Sequence, residues 1–200
     1  MIATLKGILT KRSPTDLIVE TGGVGYAVHI SLSTYEKLPE LNGEVFLLIH
    51  HHIREDAQVL YGFAEENERE MFRLLLSVSG IGPKMAQTVL SGIRTDDLVR
   101  TITAGAISTL TAVPGIGKKT AERIILELRD KVSRLEGSDK IIDLPTAGSS
   151  VRHEALNALL SLGFSRDKAE QSLRIVLNSS SSKNLSVEDL IKKALQQSAK

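Results

Sequence analysis

The polar and apolar positions of this chain change period along its length. Residues 1–63 carry short apolar runs at 1–9, 17–20, 26–30, 45–50 and 59–63, a length and spacing that predict strands. Five strands in so short a stretch predict a small β-barrel. Between the second and third runs stands Thr21-Gly22-Gly23-Val24-Gly25-Tyr26. Its glycines permit turn or bulge geometry that a Cβ disfavours, and contact with a phosphate is the alternative reading. From Glu65 the apolar positions take a helical period, with Glu65, Glu66 and Glu68 ahead of Met71, Phe72, Leu75 and Leu76. Negative charge in a first turn complements the helix dipole. Helices with short connections are expected to about residue 135.

Residues 136–150 break that pattern with Gly137, Pro145, Gly148, Ser149 and Ser150 and are expected to form a flexible linker. Beyond it, residues 151–162, 166–177 and 187–197 predict three helices. Ser165 and Ser186 stand where N-caps belong, and Asp189 follows Ser186 by three positions as in a capping box. Leu156, Leu159, Leu160, Leu173, Val176, Leu190, Ala194 and Leu195 supply the apolar stripes. The expected fold class is α+β multidomain: a barrel over 1–64, an all-α domain over 65–135, a linker over 136–150 and a small three-helix bundle over 151–200. A bundle this small, carried on a linker, suits the docking of a protein partner.

Composition narrows the chemistry. Of the 200 residues 42% are hydrophobic, enough for packed cores, and none is cysteine, which removes disulfides, thiolate zinc sites and cysteine nucleophiles. No apolar run is long enough to span a bilayer and the first residues lack a signal-peptide core, so a cytoplasmic location is expected. The formal net charge is only +1. A nucleic-acid surface would therefore need locally concentrated positive charge.

The most informative feature is an internal repeat offset by 35 residues. Residues 75–86, Leu-Leu-Ser-Val-Ser-Gly-Ile-Gly-Pro-Lys-Met-Ala, match residues 110–121, Leu-Thr-Ala-Val-Pro-Gly-Ile-Gly-Lys-Lys-Thr-Ala, at seven of twelve positions. Each copy is expected to end one helix, turn through Gly-Ile-Gly and open another. Glycine lets a ligand approach the backbone, and a new helix offers unpaired N–H groups and the positive end of its dipole. A phosphate suits such a place. Pro83 fits a first-turn position, Lys84 and Lys119 add charge at equivalent places, and Ile81 and Ile116 anchor each turn. A bare helix-to-helix connection would explain one copy as well; duplication with a lysine at the same offset favours phosphate binding. A nucleotide-binding P-loop ending at Gly117-Lys118 is excluded, because Lys119 replaces its Ser/Thr and Ala112 its first glycine.

The apolar-x-Gly-Ile-Gly-x-Lys-x-Ala pattern resembles the helix-hairpin-helix family, whose paired copies hold duplex backbones without reading sequence. That resemblance implies phosphate contacts by the backbone around Gly80, Ile81, Gly82 and Lys84 and around Gly115, Ile116, Gly117 and Lys119, with Lys118 and Arg123 extending the second patch. Over its whole length the chain resembles the RuvA family of Holliday-junction-binding subunits. The matching segments are Gly22-Gly23-Val24-Gly25-Tyr26, Arg54-Glu55-Asp56-Ala57-Gln58, Leu60-Tyr61-Gly62-Phe63 and residues 114–123; linker and tail match more loosely. The resemblance implies a barrel of the OB type, an acidic pin at Glu55 and Asp56, and a homotetramer that binds four-way junctions singly or in pairs. It also implies an ATP-driven hexameric partner, RuvB, held by residues 151–200, and a junction resolvase of the RuvC type as a further partner. ATP would be used by the motor; this chain is expected to need no cofactor.

His50-His51-His52 raises a metal site, since His50 and His52 share a strand face, but no cysteine and no evident third ligand join them. Ordinary strand positions explain the run. No catalytic constellation stands out, so the chain is expected not to be an enzyme by itself. The rival readings are an accessory subunit of a repair nuclease, which would need a catalytic module, and an OB-type single-strand or RNA binder. Aromatic residues at 4% and no tryptophan leave the second with a sparse stacking surface.

Overall fold

The computed structural model describes residues 1–139, 147–178 and 186–198. Five strands, β1 (Thr4–Arg12), β2 (Asp16–Thr21), β3 (Val24–Ile30), β4 (Glu44–Ile53) and β5 (Gln58–Phe63), close into a barrel in the order β1-β2-β3-β5-β4. All neighbours are antiparallel except β3 and β5. Alternate residues point inward, so Leu5, Leu9, Leu17, Val19, Val28, Ile30, Val45, Leu47, Ile49 and Leu60 form one buried core. A Cβ on Gly62 would lie 2.6 Å from Val28 Cγ1, so the barrel interior leaves no room for a side chain there. Gly22 and Gly23 have φ of +58° and +81° between the paired residues Thr21 and Val24. They form the two-residue hairpin turn that left-handed backbone favours, which accounts for them without a ligand.

Helices follow. A single turn, α1 (Leu32–Tyr35), interrupts the barrel. After β5 come α2 (Glu66–Leu76), α3 (Pro83–Gly92), α4 (Thr95–Ala104), α5 (Ile107–Thr111) and α6 (Lys118–Asp139). The expected boundary near residue 64 is crossed by packing. Tyr61 and Phe63 of β5 join Met71, Phe72, Leu75, Val89, Leu98, Leu110, Ile124 and Leu128 in one buried cluster, with Leu48 and Val59 packed against it. Phe72 sits among rings, its centroid 5.1 Å from Tyr61, 5.0 Å from Phe63 and 5.2 Å from His50. Polar contacts reinforce the seam: Ser33 Oγ donates to Leu90 O at 3.1 Å, and Leu32 N–H donates to Ser91 Oγ at 3.1 Å. Gln87 Nε2 also donates to the carbonyls of Ile30 and Thr15. Residues 1–138 accordingly form one compact unit.

Residues 139–200 form the second unit, with α7 (Ala147–Ser161), α8 (Arg166–Asn178) and α9 (Val187–Ser198). Ala155, Leu159, Ala169, Leu173, Leu190 and Ala194 are its buried core, and Leu156 and Leu195 pack against it. Ser186 Oγ accepts from Asp189 N–H at 3.2 Å, the cap expected from the sequence. Of the segment expected as a linker, 136–139 belong to α6 and 147–150 to α7, while 140–146 lie outside the described residues. No helix among the described residues is long and apolar enough to cross a membrane.

Phe72 joins the barrel's outer wall to the helices, so Phe72→Ala is expected to lower the unfolding free energy by about 3–5 kcal/mol. Urea denaturation followed by circular dichroism measures it. A loss below about 1 kcal/mol would mean that the seam is not a packed core.

Candidate nucleic-acid interface

The two repeats fold into the same hairpin, bond for bond. In the first, Val78 N–H donates to Leu75 O, Ile81 N–H to Val78 O and Ala86 N–H to Gly82 O; in the second, Val113 N–H donates to Leu110 O, Ile116 N–H to Val113 O and Ala121 N–H to Gly117 O. The first glycine of each turn has left-handed backbone, φ +88° at Gly80 and +87° at Gly115, where residues with a Cβ are strained. Ile81 and Ile116 are buried, which pins each loop to the helical core as their spacing predicts.

The second glycines differ from the first in what they need. Gly82 is the N-cap of α3 with an extended φ of −94°, and Pro83 follows in the first turn. A Cβ built on Gly82 or on Gly117 would meet nothing within 4 Å. The fold therefore has space for a side chain at both, and each glycine leaves the start of its helix open to a ligand. The first helical bonds are made by Ala86 and Ala121, so the N–H groups of Lys84 and Met85, and of Lys118, Lys119 and Thr120, precede the intrahelical ladder. Gly82, Lys84, Gly117, Lys118 and Lys119 are exposed. None of the three lysines forms an ion pair among the described residues. Each hairpin thus presents free main-chain donors, a helix dipole and uncompensated positive charge, the combination that holds a phosphate.

The hairpins also touch each other. Arg123 on α6 donates from Nη1 to Ser79 O at 2.8 Å, and the same atom lies 3.5 Å from where a Gly80 Cβ would stand. Met85 on α3 reaches the other way, its Cε 2.9 Å from the Cβ position of Gly115. Arg123, expected only to enlarge the second patch, is therefore a tie between the two loops that leaves the rest of its exposed guanidinium outward. Sequence spacing does not reveal such a tie, because its acceptor is a carbonyl 44 residues away.

Glu55 and Asp56 occupy the exposed turn between β4 and β5, closed by Arg54 N–H donating to Ala57 O at 2.8 Å. Beside them Arg54 Nε donates to His52 Nε2 at 3.0 Å. His50 and His52 lie on one face with ring centroids 6.1 Å apart. Burial, with Arg73 nearby, pushes the His50 imidazole below its ordinary value. Among the described residues no group of three or more metal-capable side chains converges. Helix α5, not a strand, precedes the second hairpin, as the exclusion of a P-loop requires.

Sequence reasoning missed the burial of Glu68. A first-turn acid of α2, as its position predicts, it is also buried at 2% exposure, where it accepts from Ser31 Oγ and from Thr34 Oγ1 at 2.7 Å.

Known proteins agree with these units. Residues 1–62 match the family described as RuvA N terminal domain, 72–130 a SAM-like helix-hairpin-helix tandem, and 150–199 the RuvA C-terminal domain. A protein of Solibacter usitatus described as Holliday junction branch migration complex subunit RuvA is 45% identical over 196 residues, covering 98% of each chain. Proteins of the same description from Prosthecochloris aestuarii and Stutzerimonas stutzeri are 46% identical over 198 residues and 40% over 202, each match covering 98% of both chains. With barrel, paired hairpins and helical tail each matched, and relatives similar from end to end, this chain belongs to the RuvA family.

Proposed function

We propose that this chain is the DNA-binding subunit of a branch-migration complex, holding four-way junction DNA by its sugar-phosphate strands whatever the base sequence. The observation that carries this reading is the pair of matching hairpins, each with an exposed glycine at the start of a helix where a Cβ would meet nothing within 4 Å. The relatives' description as subunits of a Holliday junction branch migration complex supports the choice of ligand. Two phosphate grips per chain, tied to each other by Arg123, suit the two strands of one duplex arm.

Selectivity for a junction comes from the barrel. Carboxylates at Glu55 and Asp56 would stand where a continuous duplex places phosphates. Two like charges 4 Å apart repel by about 1 kcal/mol even in bulk water, and by more in a less polar setting. An open crossover surrounds the turn and escapes that penalty. A homotetramer, one or two to a junction, would put four such turns around the crossover. The chain lacks a P-loop at its one sequence candidate, so movement of the arms would draw on ATP hydrolysed by a partner. The 151–200 bundle, separate from the hairpin unit, suits the docking of that hexameric motor, RuvB. A resolvase of the RuvC type would act on the junction so held.

Gel shifts with four-way junction, linear duplex and single strand across a salt series test the reading. The junction should bind most tightly, and log K should fall with log salt by about 0.9 per neutralised phosphate. Equal affinity for single strand and junction would reverse it. Gly82→Ala with Gly117→Ala should leave the protein folded, at a cost of about 1 kcal/mol or less per helix start because both sites have open space, yet weaken junction binding by at least about tenfold, or 1.4 kcal/mol. Full affinity in that folded variant would remove the glycine grip. Glu55→Lys with Asp56→Lys should raise affinity for linear duplex and shrink the junction preference; an unchanged preference would refute the pin.

A further inference from the structure

In the first unit the Glu68 carboxyl, 2% exposed, is a buried acid that phosphate binding does not use. It lies on α2, and everything it bonds belongs to the segment that caps the barrel. Thr34 N–H donates to Ser31 Oγ at 3.1 Å, and Ala64 N–H donates to Thr34 Oγ1 at 3.1 Å. Each hydroxyl oxygen is thus already an acceptor, and its own proton points to the carboxylate, Ser31 to Oε1 and Thr34 to Oε2. Two chains of donors end on one acceptor, and an ionised carboxylate is the side chain that accepts at both oxygens. The residues so gathered are the N-cap of α1, the middle of α1 and the residue that follows β5, which also continues the pin's own strand.

Burial raises the Glu68 carboxyl above its ordinary value of 4.5, against the lowering effect of its two hydroxyl partners. A carboxyl whose value is raised by folding favours the folded state most when protonated. The contribution is complete below the ordinary value and is lost as pH rises through the raised one. Holding the charge therefore carries a desolvation cost, which the two hydroxyl donors offset in part. No cation pairs directly with Glu68 among the described residues. The charged groups around it are Glu36 and Lys37 on α1, Glu65 before α2, and Arg94 and Asp96 at the start of α4, which line a small cleft with it. Lys37 is engaged by Glu65 at 2.6 Å.

We propose that Glu68 is a specificity-determining positioning residue: it locks α1 and the end of β5 onto α2, and so fixes where the acidic turn of the barrel stands relative to the two hairpins. The proposal rests on the reading of Glu55 and Asp56 as the junction-selective element. Apolar packing around Phe72 holds the two parts together, and the directed hydrogen bonds set their register. Gripping a plain duplex needs only the hairpins. Discriminating a junction needs hairpins and pin at a set distance, and it is this that depends on Glu68.

The test uses the full-length protein with Glu68→Gln. Since the chain has no cysteine, Ala57→Cys and Ala112→Cys supply spin labels beside the pin and the second hairpin, with labelled chains diluted into unlabelled ones. The expected result has three parts. Stability in urea at neutral pH stays within about 1–3 kcal/mol of the parent, and the part of the pH dependence that Glu68 contributes is gone. The distance distribution between the labels broadens. Junction preference over linear duplex falls about tenfold, while affinity for linear duplex stays within about twofold. A variant that is destabilised and loses both DNAs in proportion, or that does not fold, would make Glu68 a plain structural residue and overturn the proposal. So would a narrow distribution with full preference. The unsubstituted glutamate provides a second reading, since its label distance should broaden as pH falls through its raised value, and a width independent of pH counts against the lock. Failure of the pin itself shows separately, as an unchanged junction preference in the Glu55→Lys, Asp56→Lys variant whatever the label distances do.

Discussion

A helix that begins at a protein surface leaves its first N–H groups without intrahelical partners. This chain sets two such beginnings side by side and keeps both bare. Most helices answer the need with a serine, threonine or aspartate cap, as α9 does with Ser186. α3 starts instead from Gly82, which offers no side chain to its own backbone, and Gly117 holds the matching place before α6. The first glycines, Gly80 and Gly115, are demanded by left-handed backbone; the second stand where a Cβ would meet nothing within 4 Å. Unmet donors, a dipole and a lysine at each loop make an anion the natural partner. A regular spacing of anions is what a nucleic-acid backbone provides.

The remainder of the first unit serves to aim those two loops. Buried Ile81 and Ile116 fasten them to the helical core, and Met85 and Arg123 fasten them to each other. The same core continues through Phe72 into Tyr61 and Phe63 of the barrel wall. Barrel and hairpins are therefore one body, which holds the negative turn of the barrel in a fixed relation to the two hairpins. The first unit thus carries positive charge at two loops and negative charge at a third place. The tail has its own core, which suits a task that must not disturb that alignment.

Much of this was legible in the residues, for identifiable reasons. The five strands show in the sequence because inward and outward positions alternate, and the paired hairpins show because a 35-residue repeat cannot hide. Ends were harder. β4 continues to Ile53 through the histidines, and α6 runs to Asp139, past the point where Gly137 suggests a break. The single turn α1 left no mark, since four residues carry no period. Tyr61 and Phe63 looked like barrel residues although they face the helices, because alternation tells which residues share a face but not what covers it. The burial of Glu68 escapes the sequence for a related reason. Helix-dipole arguments see one helix, whereas Ser31 and Thr34 approach from 37 and 34 residues earlier in the chain.

If main-chain amides do the gripping, the most direct measurement is the amide resonances of the protein, recorded as junction DNA of two unrelated base sequences is added. The N–H signals of residues 80–86, proline aside, and of residues 115–121 should shift together and by the same amounts with both DNAs. Shifts that differ with base sequence, or that spare both loops while affinity is intact, would contradict a grip made of glycine-exposed backbone.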